Sequence, residues 1–567
     1  MNPVRIALLG TGTMTGWPEV LSVAASRIGI PVAVSLGAYN QYAQEILDSE
    51  SAVFSNDPEL VILAVHLRSL LGDQFFHPYA QAEAERRAWA ANTLAHLGAL
   101  IERICARSSA RVILHNFEVP LHSPLGILEG KQPFGFHESV QWLNAALQER
   151  YRSDPRVFVF DYNRFAGWLG KQHSINDKLY YLGDITVNPE WMERLAASWI
   201  SYIRPLRLPA KKCIVLDCDN TLWGGVLGEE GIHGIHLGPT PQGRPFLELQ
   251  KYLLSLYHTG VLLALNSRNT AEDVAHVLEH HPHTVLRQQH FAGMRVNWQD
   301  KVSNMRELSE ELNLGLDSFV FLDDDALQRD MVREMLPEVR VVELPNDPAL
   351  YVRTLMEFDE FSSFEFTKED EQRGAMYAQD RQRRAVAATT GSIEDYLRTI
   401  EIQASIARAT PMTIPRIAQL TQKTNQFNTT TRRYSEAEIQ SFAARPEMLV
   451  LSLAAKDKFG DNGITGVAIV DARDSAAWRI VTFLLSCRVL GRRLEQTLLA
   501  DVMERARANG ARTLLGEFIP TEKNAPAKEF YEQNGFSFSG KEGSIERWTY
   551  KLEHSYPFPE GVKVIEK

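Results

Sequence analysis

The sequence predicts a multidomain α/β protein. Short apolar runs rich in β-branched residues alternate with helix-period segments along most of the chain. At 567 residues it is too long for a single hydrophobic core. Its composition, 44% hydrophobic and 23% charged, is that of a globular protein and not of a disordered or fibrous one.

Residues 1–205 form the first expected domain. Apolar runs at 4–9, 31–36, 60–65, 112–114 and 157–160 read as strands, and helical patterns such as 79–106 separate them. That alternation implies a mainly parallel sheet covered on both faces. Residues 206–365 repeat the pattern, with strands expected at 214–216, 261–265, 319–322 and 339–343 and helices at 243–258, 270–280 and 301–312. The charged, helix-favouring stretch 366–400 reads as a connector. Residues 401–553 mix helices (414–422, 436–444, 494–509) with strands (449–455, 465–470, 480–485, 513–517, 547–551), an α+β pattern. Residues 554–567 are expected to form a loose tail.

A net charge of −11 argues against nucleic-acid binding, which relies on neutralising phosphates. No apolar run is long enough to span a bilayer, and the N-terminal residues read as a first strand and turn, not as a signal peptide. These features lead to the expectation of a cytoplasmic protein. The four cysteines (Cys105, Cys213, Cys218, Cys487) show no metal-ligand spacing and no disulfide framework.

Chemistry concentrates in the middle segment. Asp217-Cys218-Asp219-Asn220-Thr221 follows a strand, so two carboxylates two residues apart sit where open α/β sheets bind ligands. One can attack phosphorus while the other handles a proton. Asn266-Ser267-Arg268 ends the next strand, offering a hydroxyl for a phosphoryl oxygen with Asn266 and Arg268 as flanking substrate-binding candidates. Lys301 opens a helix and can offset phosphoryl charge. Asp323-Asp324-Asp325 follows the run Phe319–Leu322, and strand-end carboxylates are natural Mg²⁺ ligands. Each signal alone is ordinary; their order and shared strand-end placement carry the reading.

These four motifs resemble the haloacid dehalogenase (HAD) superfamily. The resemblance implies Asp217 as nucleophile, Asp219 as general acid/base and Thr221 as loop support. It implies that Ser267 and Lys301 hold the phosphoryl group. Mg²⁺ would be bound by Asp217, the Asp219 carbonyl and an acid from Asp323 and Asp324. Residues 215–226 (VLDCDNTLWGGV), 319–324, 420–433 (LTQKTNQFNTTTRR) and 483–492 (FLLSCRVLGR) are similar to the FkbH-like glyceryltransferase/phosphatases of polyketide assembly. Asp325-Ala326-Leu327-Gln328 departs from the Asn-Pro-x-Glu type sequence expected there. Little room for a cap domain lies between Thr221 and Ser267 or between Ser267 and Lys301, which implies an open site.

Residues 487–493 (CRVLGRR), between a strand and a helix, resemble the coenzyme-A turn of GNAT-type acyltransferases, with Arg493 in place of the last glycine. Asn524, Tyr531 and Gly535-Phe536 resemble the GNAT ending. The implied ligand is the phosphopantetheine of an acyl carrier protein, met by Arg488, Gly491, Arg492 and Asn524, with Cys487 as a candidate acyl acceptor. Arg432, Arg433, Arg488, Arg492 and Arg493 read either as a basic patch for that acidic partner or as ordinary salt bridges. Residues 1–205 resemble a degenerate SGNH-hydrolase domain without a visible catalytic pattern. The implied activity is loading of a glyceryl group from 1,3-bisphosphoglycerate onto the carrier, with dephosphorylation at the HAD site. A stand-alone phosphatase with an acyltransferase-like module, or a noncatalytic scaffold, are the alternatives.

Overall fold

The computed structural model describes residues 2–364, 368–521 and 524–565, and within them all side chains except those of 368–372, 385, 388, 423 and 487. The chain divides into two compact units, one of residues 1–212 and 353–367, the other of 213–352 and 368–567. Among the described residues no helix is long and apolar enough to cross a membrane.

The first unit holds a five-stranded parallel sheet of β1 (Val4–Gly10), β2 (Val32–Leu36), β3 (Leu60–Ala64), β4 (Arg111–His115) and β5 (Val157–Phe160), in the order β2-β1-β3-β4-β5. β1 and β3 are almost wholly buried because helices cover both faces, as their unbroken apolar runs require.

The second unit begins with another parallel sheet: β6 (Cys213–Leu216), β7 (Leu262–Ser267), β8 (Phe291–Val296), β9 (Phe319–Leu322) and β10 (Arg340–Val341). Its order is β10-β9-β6-β7-β8. The chain starts in the middle strand, builds outward through β7 and β8, then crosses to β9 on the other side. The topological switch point therefore lies between β6 and β9, the position at which open α/β sheets bind ligands. β8 was not among the expected strands; its run is broken by Gly293 and Arg295, which hide the apolar signal. The strand expected over 339–343 shrinks to two residues.

The same unit continues through the helices Lys368–Thr389 and Ile393–Thr399 into a larger sheet. This comprises β11 (Gln403–Arg408), β12 (Phe427–Asn428), β13 (Met448–Asp457), β14 (Gly460–Asp471), β15 (Ala477–Leu485), β16 (Thr513–Phe518), β17 (Ser537–Glu542), β18 (Ile545–Lys551) and β19 (Lys563–Val564). The order is β17-β18-β16-β15-β14-β13-β11-β19, mostly antiparallel, with β15–β16 and β11–β19 parallel. The expectation of a loose tail is corrected: Lys563 N–H donates to Ile402 O and Ile565 N–H to Ala404 O, and the buried Val562 joins the core.

β15 and β16 pair only from Ala477↔Thr513 to Ile480↔Gly516 and then part. The wedge between them is filled by the chain itself. Phe427 and Asn428 pair with Leu485 and Leu484, Thr429 N–H donates to Phe483 O, and Ile519 N–H donates to Thr429 O. Asn428 and Thr429 are completely buried.

Candidate active site

Strand register assembles the site. In β6, β7 and β9, Leu216 lies opposite Leu265 and Leu322. The residues that follow, Asp217, Asn266 and Asp323, therefore lie side by side at the carboxyl edge, about one strand spacing (~4.8 Å) apart. Asp217 N–H donates to Leu322 O at 3.0 Å, which fixes the two loops together.

Lys301 closes the group. Asp300 caps its helix by accepting from Ser303 N–H, so the helix starts at a defined residue. The Lys301 ammonium is buried, 2.9 Å from Asp217 Oδ1 and 2.5 Å from Asp323 Oδ2. Burial opposes its charge, but the two carboxylates outweigh that and raise its pKa. Asp217, Asp323 and Asp324 offer oxygens that all lie within 4.8 Å of one another. Burial and repulsion from Asp217 push Asp323 up to about 7, against the pull of Lys301. The same two causes push Asp324 up to about 6.

Asp219 is held on three sides. Its Oδ1 accepts from Trp223 Nε1 (2.8 Å) and Leu227 N–H (3.1 Å), and its Oδ2 from Asn269 Nδ2 (3.0 Å). Asn269 also donates to Ser267 Oγ at 3.3 Å, tying hydroxyl and carboxylate into one array. Thr221, completely buried, donates to Asp324 Oδ1 and accepts from Asp324 N–H, bracing one loop against the other.

The structure thus brings Asp217, Asp219, Thr221, Ser267, Lys301, Asp323 and Asp324 to one sheet edge. It moves Asn266 out of the ligand-facing set. Strand alternation turns Asn266 away from Ser267. Its amide donates to Lys301 O (2.9 Å) and accepts from Asn304 Nδ2 (3.0 Å), so it positions the lysine helix. Arg268 is exposed. Asn269, Trp223 and Arg329 were not anticipated. Arg329 Nη1 donates to the carbonyls of Asp323 and Asp324 at 2.8 and 2.7 Å and holds the acidic loop in shape. The departing sequence at 325–328 is accommodated because Asp325 caps the following helix through Leu327 N–H. The segment between Thr221 and the Arg244–His258 helix carries only short helical turns over Leu227–Gly234, kinked at Gly231.

The coenzyme-type turn is corrected in several particulars. Arg492 is buried; its Nη2 contacts Asp380 Oδ1 and donates to Arg488 O, both at 2.8 Å. With Arg383, whose guanidinium is 2.7 Å from Asp457, it forms a charge cluster with Asp380 and Asp457, and Arg488, Gly491 and Arg492 line one cavity of about 590 Å³ beside that cluster. Arg432 pairs with Glu517 at 3.0 Å, Arg433 donates to Asn425, Arg488 to Ser486 Oγ, and Arg493 pairs with Glu394 at 2.6 Å. The arginines expected as a partner-binding patch are engaged within their own unit. Asn524, also buried, donates to Asn428 O and Ile519 O and accepts from Thr521 N–H, so it locks the wedge segment. Gly491 keeps a positive φ of 76° that tightens the turn. The Cys487 side chain lies outside the described residues. Cys218 is buried and its thiol is pushed well up by burial and by Asp217, as a packing residue should be.

Residues 5–203 match the family model described as FkbH, N-terminal domain. No curated protein matches the chain. A solved structure of the N-terminal part of a Bacteroides fragilis protein, containing a phosphatase domain complexed with Mg, is similar at 26% identity and TM-score 0.59. That likeness covers 65% of this chain and 96% of the other. A GNAT-family protein from Desulfovibrio desulfuricans matches over 26% of this chain and 99% of its own (18% identity, TM-score 0.22). The ribosomal-protein-S18-alanine N-acetyltransferase of Escherichia coli matches over 27% and 95% (16%, 0.21). Likenesses of that size bear on no functional argument.

Proposed function

We propose that the chain is a Mg²⁺-dependent phosphohydrolase in which Asp217 accepts the phosphoryl group. The observation that carries this is the meeting of three carboxylates and a buried ammonium at the β6/β9 switch point. The donor set fits the ion. Mg²⁺ takes few carboxylates and completes its shell with water and phosphate oxygens. Two of the three carboxyls are held above their ordinary range by burial and by repulsion from Asp217, and a divalent cation relieves the repulsion. Asp217, Asp323 and Asp324 would hold it, and when bound it offsets charge on the phosphoryl oxygens.

The protein's own groups do the rest. Asp217 attacks phosphorus as the bond to the leaving oxygen breaks. Asp219, fixed by Trp223 and Asn269, gives that oxygen its proton and then takes one from the water that hydrolyses the aspartyl phosphate. Lys301 and the Ser267 hydroxyl hold the phosphoryl oxygens.

The finer reading follows the FkbH-like resemblance. The Cys487 thiol attacks the acyl phosphate of 1,3-bisphosphoglycerate and phosphate leaves from C1; the carrier-protein thiol then takes the acyl group and frees Cys487, and the remaining phosphate is removed at Asp217 to give a D-glyceryl thioester. Incubation with carrier protein and intact-protein mass spectrometry tests this. A glyceryl mass shift supports it; free phosphate without a shift supports the second reading, a small-molecule phosphatase with an attached module. The filled β15/β16 wedge favours that second reading.

A further inference from the structure

We propose that the crevice at the carboxyl edge of the first sheet binds a small uncharged molecule that joins an apolar body to an amide or hydroxyl group. The crevice has a volume of about 180 Å³ and lies where β1 and β3 end, at the switch point of that sheet. Trp17, Leu67, Phe117, Ile185, Leu195 and Trp199 give it an apolar wall. Gly12, at φ 79°, lets the β1 turn close against the 184–186 segment: a Cβ there would lie 2.5 Å from Asp184 O.

Two polar atoms facing this wall have no protein partner: Nδ1 of His66 and the hydroxyl of Tyr162, a side chain only 5% exposed. A buried donor or acceptor left unpaired costs about 1–3 kcal/mol, so a ligand that pairs both recovers that cost. The charge of the lining selects among ligands. No Lys or Arg lines the cavity. Burial drives His66 down to about 4, so its ring is neutral, with Arg68 and Asp184 as the flanking charges of opposite effect. Glu118 is the one carboxyl in the lining; it accepts from Ser174 Oγ, and the nearby Lys171 ammonium is engaged by Val119 O and Asn163 Oδ1. An anion would shed its water with no cation to meet it. Of the four threonines in the lining, Thr11 Oγ1 accepts from His66 N–H and Thr13 Oγ1 donates to Gly183 O.

The test uses the full chain with ¹³C-methyl methionine. Met14 and Met192 line the cavity and are two of 12 methionines, assignable by single Met→Leu variants. The probes are isobutyramide and its charged counterpart isobutyrate, titrated at pH 8. Saturable shifts of both methyls with the amide are expected, with the carboxylate weaker by about tenfold (~1.4 kcal/mol). Tyr162→Phe removes one unpaired hydroxyl without changing shape and should weaken amide binding several-fold; His66→Phe should do the same. Absence of any shift up to the solubility limit, an equal response to the carboxylate, or unchanged affinity in both variants would overturn the proposal.

Discussion

Replacing Lys301 with methionine tests the electrostatics of the site most sharply. The side chains are close in volume, so packing changes little and charge changes by one. The ammonium sits 2.9 Å from Asp217 and 2.5 Å from Asp323. At an effective dielectric of ~20 each such contact is worth about 6 kcal/mol before desolvation. Breaking a buried pair by removing one partner leaves a net loss of about 3–5 kcal/mol. The loss should depend on pH. Asp323 has a folded pKa of about 7, above the ordinary carboxylate value. A group raised in the folded state is fully stabilising only below its unfolded pKa, and its contribution declines as pH rises through the folded value. Without Lys301 that rise is larger. Metal-free thermal melts of wild type and Lys301→Met should therefore differ more at pH 8 than at pH 5.5. Phosphate release should fall by about 10²–10³-fold, as for loss of one preorganised charge-stabilising group. An equal melting gap at the two pH values, or retained turnover, would refute the electrostatic role.

Mg²⁺ affinity should strengthen from pH 5.5 to pH 8, because Asp323 and Asp324 must lose protons raised to about 7 and 6; isothermal titration with proton-release measurement checks this. Asn524→Ala should lower stability by about 1–3 kcal/mol by stranding the buried Asn428 carbonyl and the half-buried Ile519 carbonyl, with no effect on phosphate release. Arg383→Met should cost about 3–5 kcal/mol in denaturant melts, since it leaves the wholly buried Asp457 short of its closest cation. Cys487→Ala should stop acyl loading in the mass-spectrometric assay while leaving hydrolysis of a simple phosphomonoester at Asp217 intact.

The acidic constellation was legible in the sequence because each member directly follows a short apolar run. A strand in a two-sided sheet must be apolar throughout, so the first carboxylate after it marks the sheet edge, and parallel register does the alignment. What could not be read lies in side-chain direction and long-range pairing. Asn266 and Ser267 are neighbours in sequence, yet alternation sends one to the lysine helix and the other to the Asn269 array. Arg492 looked like a phosphate-binding residue because its partners, Asp380 and Asp457, are 112 and 35 positions away. β12 and β19, two residues each, are too short for any periodicity, and both are specified by the strands they pair with.

The nucleophile itself can be observed. Wild type and Asp217→Asn would each be mixed with Mg²⁺ and a ³²P-labelled acyl phosphate, quenched in acid and digested, and the labelled peptide sequenced by mass spectrometry. Hydroxylamine-sensitive label on Asp217 in wild type, absent from the variant, is the expected result; turnover by wild type with label on another residue contradicts Asp217 as the phosphoryl acceptor.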